Sequence, residues 1–493
     1  MSAIILATIN AKWIHPSLAL RLLKANLGSL KGQCEILEFA LRQPLEEKTG
    51  PILAARPRIL GLSVSIWNHT ATLELLKALD NAWQPDGRPA VPRPVVVLGG
   101  PEVSWLPEEA EIFRFADYVI RGEGEESFRS LCYGLLNGNR PAGGKAALFI
   151  NQGETSVDTD TIACAYHLYT DEDLKNKLVY VEASRGCPFG CEFCQGGKTP
   201  KVREFPLEPF LEEMGTLIDR GARTIKFLDR TFNLDMDRAK RIIGFYLKRI
   251  GAPGTAAGTA TGTATGTMAG KPPLCVHFEM VPFRFPPELK ELLSRFPPGT
   301  LRLELGIQTF NRKTAELIHR AGCEESEILE FLRRETNAIL HVDLIAGLPG
   351  EDLASFGAGF DRLWRTLSKT GKSGLPGRSP FEIQPGILKC LPGTPLARHN
   401  AAYGMKYSAA PPYEVIETGA IPAAEIGRIK NFARFWETIV NRNPFPDLVS
   451  RLFPPGEPVF DRFMRFSDRM LEHFGRNWGI DRNDLGAFLE GEK

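Results

Sequence analysis

The chain has 493 residues, with 60 Lys and Arg against 59 Asp and Glu and a net charge of +1. That is too long for one ordinary core, and at about 150 residues per domain it predicts two to four units. The balanced charge offers no global field for wrapping a nucleic acid or holding an anionic membrane, which argues against both as partners.

No apolar run reaches the ~18 residues of a membrane span, and the start of the chain lacks the basic and long apolar stretches of a secretory signal, so a cytoplasmic location is expected. Nine cysteines are too few for a disulfide framework, and three of them fall within eight residues, which points to a metal in a reducing compartment. Cys34, Cys132, Cys164, Cys275, Cys323 and Cys390 are scattered and read as small buried apolar filler.

In chain order, apolar runs at Ile4–Ile9, Ile59–Val64, Val95–Leu98 and Tyr118–Ile120 alternate with helical patterns over Ser17–Leu30, Thr70–Trp83 and Glu108–Phe115. This alternation predicts an α/β domain over 1–140, a doubly wound, Rossmann-like parallel sheet. Gly99-Gly100-Pro101 and Gly122-Glu123-Gly124 follow two of its strands, and sheets of this kind bind ligands outside the carboxyl ends of their strands. Residues 141–177 have weak periodicity and read as a connector.

Leu178–Ala183 reads as a strand running into the cysteine cluster. A second series follows, with strands at Thr224–Leu228, Val276–Met280, Leu301–Gly306, Ile339–Ile345 and Phe381–Leu388. Helices over Pro209–Arg220, Arg238–Ile250, Pro287–Arg295, Arg312–Arg320 and Ser326–Glu335 separate them. Six parallel strands with outer helices predict a barrel or partial barrel over 178–396, with its site at the carboxyl ends of the strands.

Residues 252–270, built from Gly, Thr and Ala, cannot bury enough surface to offset their ordering entropy and read as a flexible insertion; 370–379 is a shorter one. The segment 397–493 reads as a mostly helical accessory domain. Its core is expected from Phe432, Phe435, Trp436, Phe460, Phe463, Phe466, Phe474 and Trp478, which recur at helical spacing.

The strongest chemical signal is Cys187-Pro-Phe-Gly-Cys191-Glu-Phe193-Cys194, which lets one loop wrap three thiolates around a compact centre. A structural zinc or ferredoxin-type site wants four protein ligands, whereas an open position is a catalytic feature. A zinc knuckle borrowing Cys164 or His167 is the alternative.

This Cys-x3-Cys-x2-Cys spacing, with Phe193 before the last cysteine, resembles the signature of the radical S-adenosylmethionine (SAM) superfamily. The resemblance implies a [4Fe–4S] cluster on Cys187, Cys191 and Cys194, with SAM chelating the fourth iron. It also implies reductive cleavage of SAM to a 5′-deoxyadenosyl radical and an electron donor such as flavodoxin or ferredoxin.

Later strand ends extend the resemblance over about residues 178–396. Asp229 and Asn233 end one strand, Glu279 another, and Glu304-Leu-Gly-Ile-Gln308 resembles a SAM-facing segment. Asp343-Leu-Ile-Ala-Gly347-Leu-Pro-Gly350 resembles a turn whose exposed backbone meets the adenine, and Leu391-Pro-Gly-Thr-Pro-Leu396 resembles the turn after the sixth strand. Phe193, Asp229, Asn233, Glu279, Glu304, Gln308 and Gly347 are therefore the candidate SAM residues. As alternatives, Asp229 caps the following helix and Glu279 is an ion-pair partner.

The first domain resembles the cobalamin-binding domain that precedes many radical SAM enzymes. Ser63, Ser65, Trp67, Gly99, Gly100, Pro101, Glu102, Gly122, Glu123 and Gly124 are the candidates for that cofactor. The Asp-x-His-x-x-Gly motif that supplies a cobalt ligand is missing: Asn10-Ala-Lys-Trp-Ile-His15-Pro stands there instead, so ligation by His15 is not expected.

The arrangement as a whole resembles bacterial proteins with a C-terminal domain of unknown function of the DUF4080 type. It implies a cobalamin-dependent radical SAM enzyme, plausibly a methyltransferase on an unknown substrate. Two other readings stand beside it, a cobalamin-independent radical oxidoreductase or rearrangement enzyme and a non-enzymatic iron–sulfur redox or interaction protein. A methylthiolating enzyme acting on transfer RNA is disfavoured, because residues 1–150 hold only Cys34 and Cys132.

Overall fold

The computed structural model describes residues 2–84, 92–138, 147–150, 156–251, 273–320, 326–369, 371, 379–453 and 457–491. The expected insertion at 252–270, nearly all of 370–379, and Cys323 lie outside these residues. Contacts divide the chain into two compact units, Met1–Ala183 with Arg203–Lys226, and Ser184–Val202 with Phe227–Lys493.

In the first unit six strands form one sheet: β1 (Ile4–Asn10), β2 (Cys34–Ala40), β3 (Ile59–Ser63), β4 (Val95–Gly99), β5 (Tyr118–Ile120) and β6 (Leu148–Ile150). Their order is β2-β1-β3-β4-β5-β6, and every pair is parallel. Side chains alternate across a strand, so β1 feeds two cores. Ile5, Ala7 and Ile9 join Leu75, Leu79 and Trp83 on one face. Ile4 and Leu6 join Leu20, Phe128 and Cys132 on the other. Burial on both faces explains why β1 reads as an unbroken apolar run.

Three readings of this region change. β2 was not foreseen, because Glu35 and Glu38 interrupt its apolar pattern at the sheet edge. The weakly periodic stretch after residue 140 contributes β6 and the helix Asp171–Asn176, which Thr170 and Asp173 close with a reciprocal capping box. The helix foreseen at Glu108–Phe115 is only a 3-10 turn over Glu111–Phe115. Cys34 and Cys132 are buried filler as expected, and burial pushes the Cys34 thiol up to about 12.

The later strands are β7 (Val179–Val181), β8 (Ser184–Arg185), β9 (Arg203–Glu204), β10 (Thr224–Phe227), β11 (Cys275–Met280), β12 (Leu301–Gln308), β13 (Ile339–Ala346) and β14 (Phe381–Ile387). The second six-stranded sheet has the order β14-β13-β12-β11-β10-β7. Within the second unit β11 to β14 pair in parallel and in chain order, as a partial barrel requires. Burial alternates strictly along β11 and β12, with Val276, Phe278 and Met280 facing the helices while His277 and Glu279 face the lumen.

The closing segment is mostly helical, after a short antiparallel pair, β15 (Lys406–Tyr407) and β16 (Val415–Glu417). Its aromatic core is shared with a barrel helix, Leu353–Ser368, which the sequence patterns had not marked. Phe360 packs edge-on to Phe432 and Trp436, and Phe432 stacks on Trp436 with ring centroids 5.6 Å apart. Trp478 does not belong to this core; it is 66% exposed. Asn441 hydrogen-bonds both the N–H and the carbonyl of Ile383, occupying the outer edge of β14. No described helix is long and apolar enough to cross a membrane.

Candidate functional site

The three cysteines lie on the loop after β8. The Cys187 N–H donates to the Thr199 carbonyl at 3.0 Å, and the Cys194 N–H to that of Cys191 at 3.1 Å, so backbone bonds help fix the shape of the loop. Gly186 has φ +102°, and a Cβ there would stand 2.3 Å from the Lys201 carbonyl oxygen. Gly186→Ala should therefore displace the loop and lower the iron held per reconstituted chain severalfold while the far-ultraviolet dichroism stays unchanged. Wild-type iron content in that variant would contradict it.

The three thiols are near enough to act on one another, although among the described residues no three such side chains stand close enough to hold a single metal ion. Burial pushes the Cys187 thiol up and the nearby Cys194 and Cys191 add to this, against an opposing contact with the Phe189 carbonyl. Loading metal on such thiols releases their protons. The Gly196 N–H donates to Cys194 Sγ at 3.3 Å and Arg320 Nη1 to Cys191 Sγ at 3.7 Å. Arg320 Nη2 also donates to the Gly306 carbonyl, while Arg320 Nε is buried without a partner among the described residues.

Glu192, the residue after Cys191, is buried and was not among the sequence candidates. Its carboxylate accepts from Arg398 Nε at 3.0 Å, pairs with His399 Nε2 at 2.6 Å and lies 3.3 Å from His319 Nδ1. Its N–H donates to the Ile318 carbonyl. Gln195 Nε2 reaches the Pro392 carbonyl at 3.0 Å. The Leu391–Leu396 turn and the 3-10 turn Pro395–His399 thus clamp the cysteine loop.

The candidate SAM residues fare differently. Phe193 is half-buried on the loop. Asp229 is buried and accepts the Ser184 hydroxyl at 2.6 Å. It does not cap the following helix, whose N-cap is Asp235. Asn233 is fully buried, and its amide bonds the Val281 N–H and the Val281 and Arg284 carbonyls, so its polar atoms tie the end of β11 in place.

Glu279 and Glu304 are register partners on the lumen side, and Glu304 lies 3.1 Å from His277 Nε2. Gln308 follows a bulge in β12 and has φ +69°, a strained conformation for a residue with a side chain. Gly347 is a correction. Its backbone is buried rather than exposed, because the turn packs against Val415 and Ile426, and a Cβ would meet Val415 at 2.6 Å.

The lumen also holds groups that sequence patterns did not mark. The Arg230 guanidinium is made more basic by Cys194, Glu279, Cys187 and Glu304, which together outweigh desolvation. His341 lies 3.0 Å from Glu382 and 3.4 Å from Asp343; burial opposes its charge, but the two carboxylates raise it to about 10.

In the turn after β13, burial raises the Glu351 carboxyl from 4.5 to about 7, although the Thr309 and Ser355 hydroxyls pull the other way. Between those values the native state keeps a proton that the unfolded chain has lost. Stability should then fall as pH rises through that window, by up to about 3 kcal/mol. Glu351→Gln keeps an acceptor for Thr309 and should remove this slope, which urea unfolding at several pH values reads directly. An unchanged slope would exclude Glu351 as its source.

In the first unit the chain reverses direction between β1 and β3, the switch point at which such sheets bind ligands. Three exposed apolar side chains, Trp13, Ile14 and Trp67, follow those two strands. Gly100 has φ +105°, and a Cβ there would stand 2.5 Å from the Val64 carbonyl oxygen, so the glycine loop lies directly on the end of β3. Ser104 links the two glycine loops, donating to the Gly100 carbonyl at 2.8 Å and accepting from the Gly122 N–H at 3.0 Å.

Among the remaining candidates, Ser63 and Gly99 are half-buried, Pro101 is exposed, and Gly124 precedes the helix Glu125–Leu136. Ser65 is buried, and its N–H donates to Asn68, whose amide also reaches the Ile9 carbonyl. Glu102 is buried 2.8 Å from His69 Nδ1. Arg203 and the Val157 N–H engage the Glu123 carboxylate. His15 pairs with the Tyr180 hydroxyl at 2.8 Å, and burial first, then Lys12 and Lys226, lower its pKa.

A partial barrel with three loop thiols beside arginines and lumen carboxylates defines a class, and a family model agrees: Radical SAM superfamily matches residues 181–362. The chain carries a domain of that superfamily over those residues. Its particular form carries a B12 binding domain over residues 4–132 and the Protein of unknown function (DUF4080) region over 401–481.

An uncharacterized methyltransferase of Pyrococcus horikoshii is 34% identical over 163 residues, which are 29% of this chain and 35% of that protein. The cobalamin-dependent radical SAM methyltransferase TokK of Streptomyces tokunonensis is 23% identical over 212 residues, 39% of this chain and 30% of that one. The match therefore spans about a third of the length of these curated relatives.

Among solved structures, the radical SAM methyltransferase TsrM of Kitasatospora setae, with cobalamin and a [4Fe–4S] cluster bound, gives a TM-score of 0.58 at 17% identity, over 83% of this chain and 81% of that one. Apo OxsB, a cobalamin-dependent SAM radical enzyme, gives 0.61 at 14%, over 99% and 75%. At such identities the likeness is one of fold.

The radical SAM domain implies a [4Fe–4S] cluster and SAM, and the B12 binding domain implies cobalamin. The residues fit these groups. Three thiols on one loop are the donor set of a cluster with one open iron. The orphaned Arg320 Nε beside Cys191 suits an anionic group, and the apolar side chains at the β1/β3 switch point suit a broad planar one.

Proposed function

We propose that this chain is a cobalamin-dependent radical SAM methyltransferase. The observation that carries the reading is the three-thiol loop, clamped at the strand ends of a partial barrel, in a chain that also carries a B12 binding domain. When bound, the cluster and SAM supply a hydrogen-abstracting radical and cobalamin supplies methyl transfer.

The chain's own residues bind and orient these groups. Cys187, Cys191 and Cys194 hold three irons. Arg320 and Arg230 are assigned to the SAM carboxylate, and Glu304, Glu279 and Asp229 to its cationic and hydroxyl groups, since guanidinium forks pair with carboxylates. Trp13, Ile14 and Trp67 would offer the corrin an apolar surface, while Gly99, Gly100 and Gly122 would let backbone approach it. His15, committed to Tyr180, is not assigned to cobalt. The reductant is a low-potential protein such as flavodoxin or ferredoxin, in the cytoplasm.

The test is anaerobic purification from cobalamin-replete cells, followed by cluster reconstitution, reduction and addition of SAM. The expected results are a co-purifying corrin and 5′-deoxyadenosine. Deoxyadenosine without corrin would overturn the cobalamin part, and the lack of both would overturn the enzyme reading.

A further inference from the structure

The closing helices of the second unit carry a cavity of about 440 Å3 that neither the cluster nor the corrin reading uses. Its walls bring together four guanidiniums, Arg451, Arg462, Arg465 and Arg469, and one carboxylate, Glu490. Leu452, Phe463 and Phe466 supply its apolar lining. The volume falls within the ~300–1,000 Å3 typical of small-molecule sites.

Arg462, Arg465 and Arg469 lie three and four residues apart on the helix Val459–Phe474, so they share one strip of its surface. The strip beside it, with Phe460, Met464 and Met470, is buried. Like charges at this spacing destabilise the helix that carries them. Of the nearby acids, Asp468 is committed to Arg428 at 2.6 Å, while Glu457 pairs with Arg462 at 2.7 Å. Arg469 lies over the Phe466 ring. Among the described residues Arg451 and Arg465 have no ion-pair partner, although both line the cavity.

We infer that this cavity binds a small phosphate ester, its dianionic group held by Arg451 and Arg465 and its apolar part set against Leu452 and Phe466. Guanidinium forks match phosphate oxygens two at a time, and two of them without an ion-pair partner, Arg451 and Arg465, favour a dianion over a monoanion. The apolar lining distinguishes an ester from the free ion. This site stands apart from the methyltransferase reading and does not depend on it.

Isothermal titration of the full-length chain at constant ionic strength tests it, with phenyl phosphate and inorganic phosphate as the two probes. Phenyl phosphate is expected to bind more tightly than phosphate. Arg451→Gln with Arg465→Gln should weaken it by at least about tenfold, and Arg465→Lys by less, because it keeps the charge but loses the fork. Arg434→Gln, at an exposed position outside the cavity, should leave binding unchanged.

Three outcomes would overturn the site: no binding of either probe at up to ~10 mM, wild-type affinity in the double variant, or equal weakening by Arg434→Gln. Equal affinity for the two probes would overturn the ester assignment. Arg451 and Arg465 are exposed, so glutamine there should not disturb folding, and a superimposable dichroism spectrum checks that.

Discussion

Cys191→Ala should leave the fold intact, lose most of the reconstituted iron and reduce 5′-deoxyadenosine formation by more than about 100-fold, because even the outer partners of metal ligands typically contribute 10–100-fold. Cys191 is the most enclosed of the three thiols and the one that Arg320 contacts. Its loss removes a corner ligand and separates Arg320 from the cluster in one change. Alanine in a buried, small-residue position disturbs packing little, so iron content and thermal melting separate loss of the cluster from loss of the protein. Deoxyadenosine formation at the wild-type level would remove these cysteines from the chemistry altogether.

The second large effect should come from Glu192→Gln. Removing one member of a buried charge cluster costs about 3–5 kcal/mol. Here the Arg398 side chain is 53% exposed and can rehydrate, so about 2–3 kcal/mol is the fair expectation. Most of it reflects His399, which is 8% exposed and would face a neutral amide.

The same change loosens the loop between Cys191 and Cys194, so reconstituted iron should become easier to remove with a chelator. Arg398→Gln should do much less on both counts. If Glu192→Gln melts and holds iron like the wild type, the carboxylate is not what holds the loop.

Much of the architecture was legible because it is written in local pattern. β1, β3 and β4 are buried on both faces and appear as continuous apolar runs, while β11 and β12 alternate because one face is core and the other lumen. β2 was hidden by the glutamates of a sheet edge, and Asn26, whose N–H returns to the Leu22 carbonyl, caps the first helix earlier than its periodicity suggested. The Leu353–Ser368 helix, capped by Asp352, merges in sequence with a loop-like, glycine-containing stretch. Its place in the aromatic core is a matter of tertiary contact.

By itself, the sequence determined the chemical identity of the centre: three thiolates at that spacing must share one loop, and chain connectivity alone keeps them within reach of a single cluster. Only the tertiary structure decided what surrounds them. Arg320 meets Cys191 across 129 residues of sequence, and His399 meets Glu192 across 207. It also gave the polar groups of Asn233 and Glu123 partners within the protein and packed Gly347 against Val415. The physical reason is that a side chain's partner is set by which strand ends lie side by side, and a residue's neighbours in sequence say nothing about that.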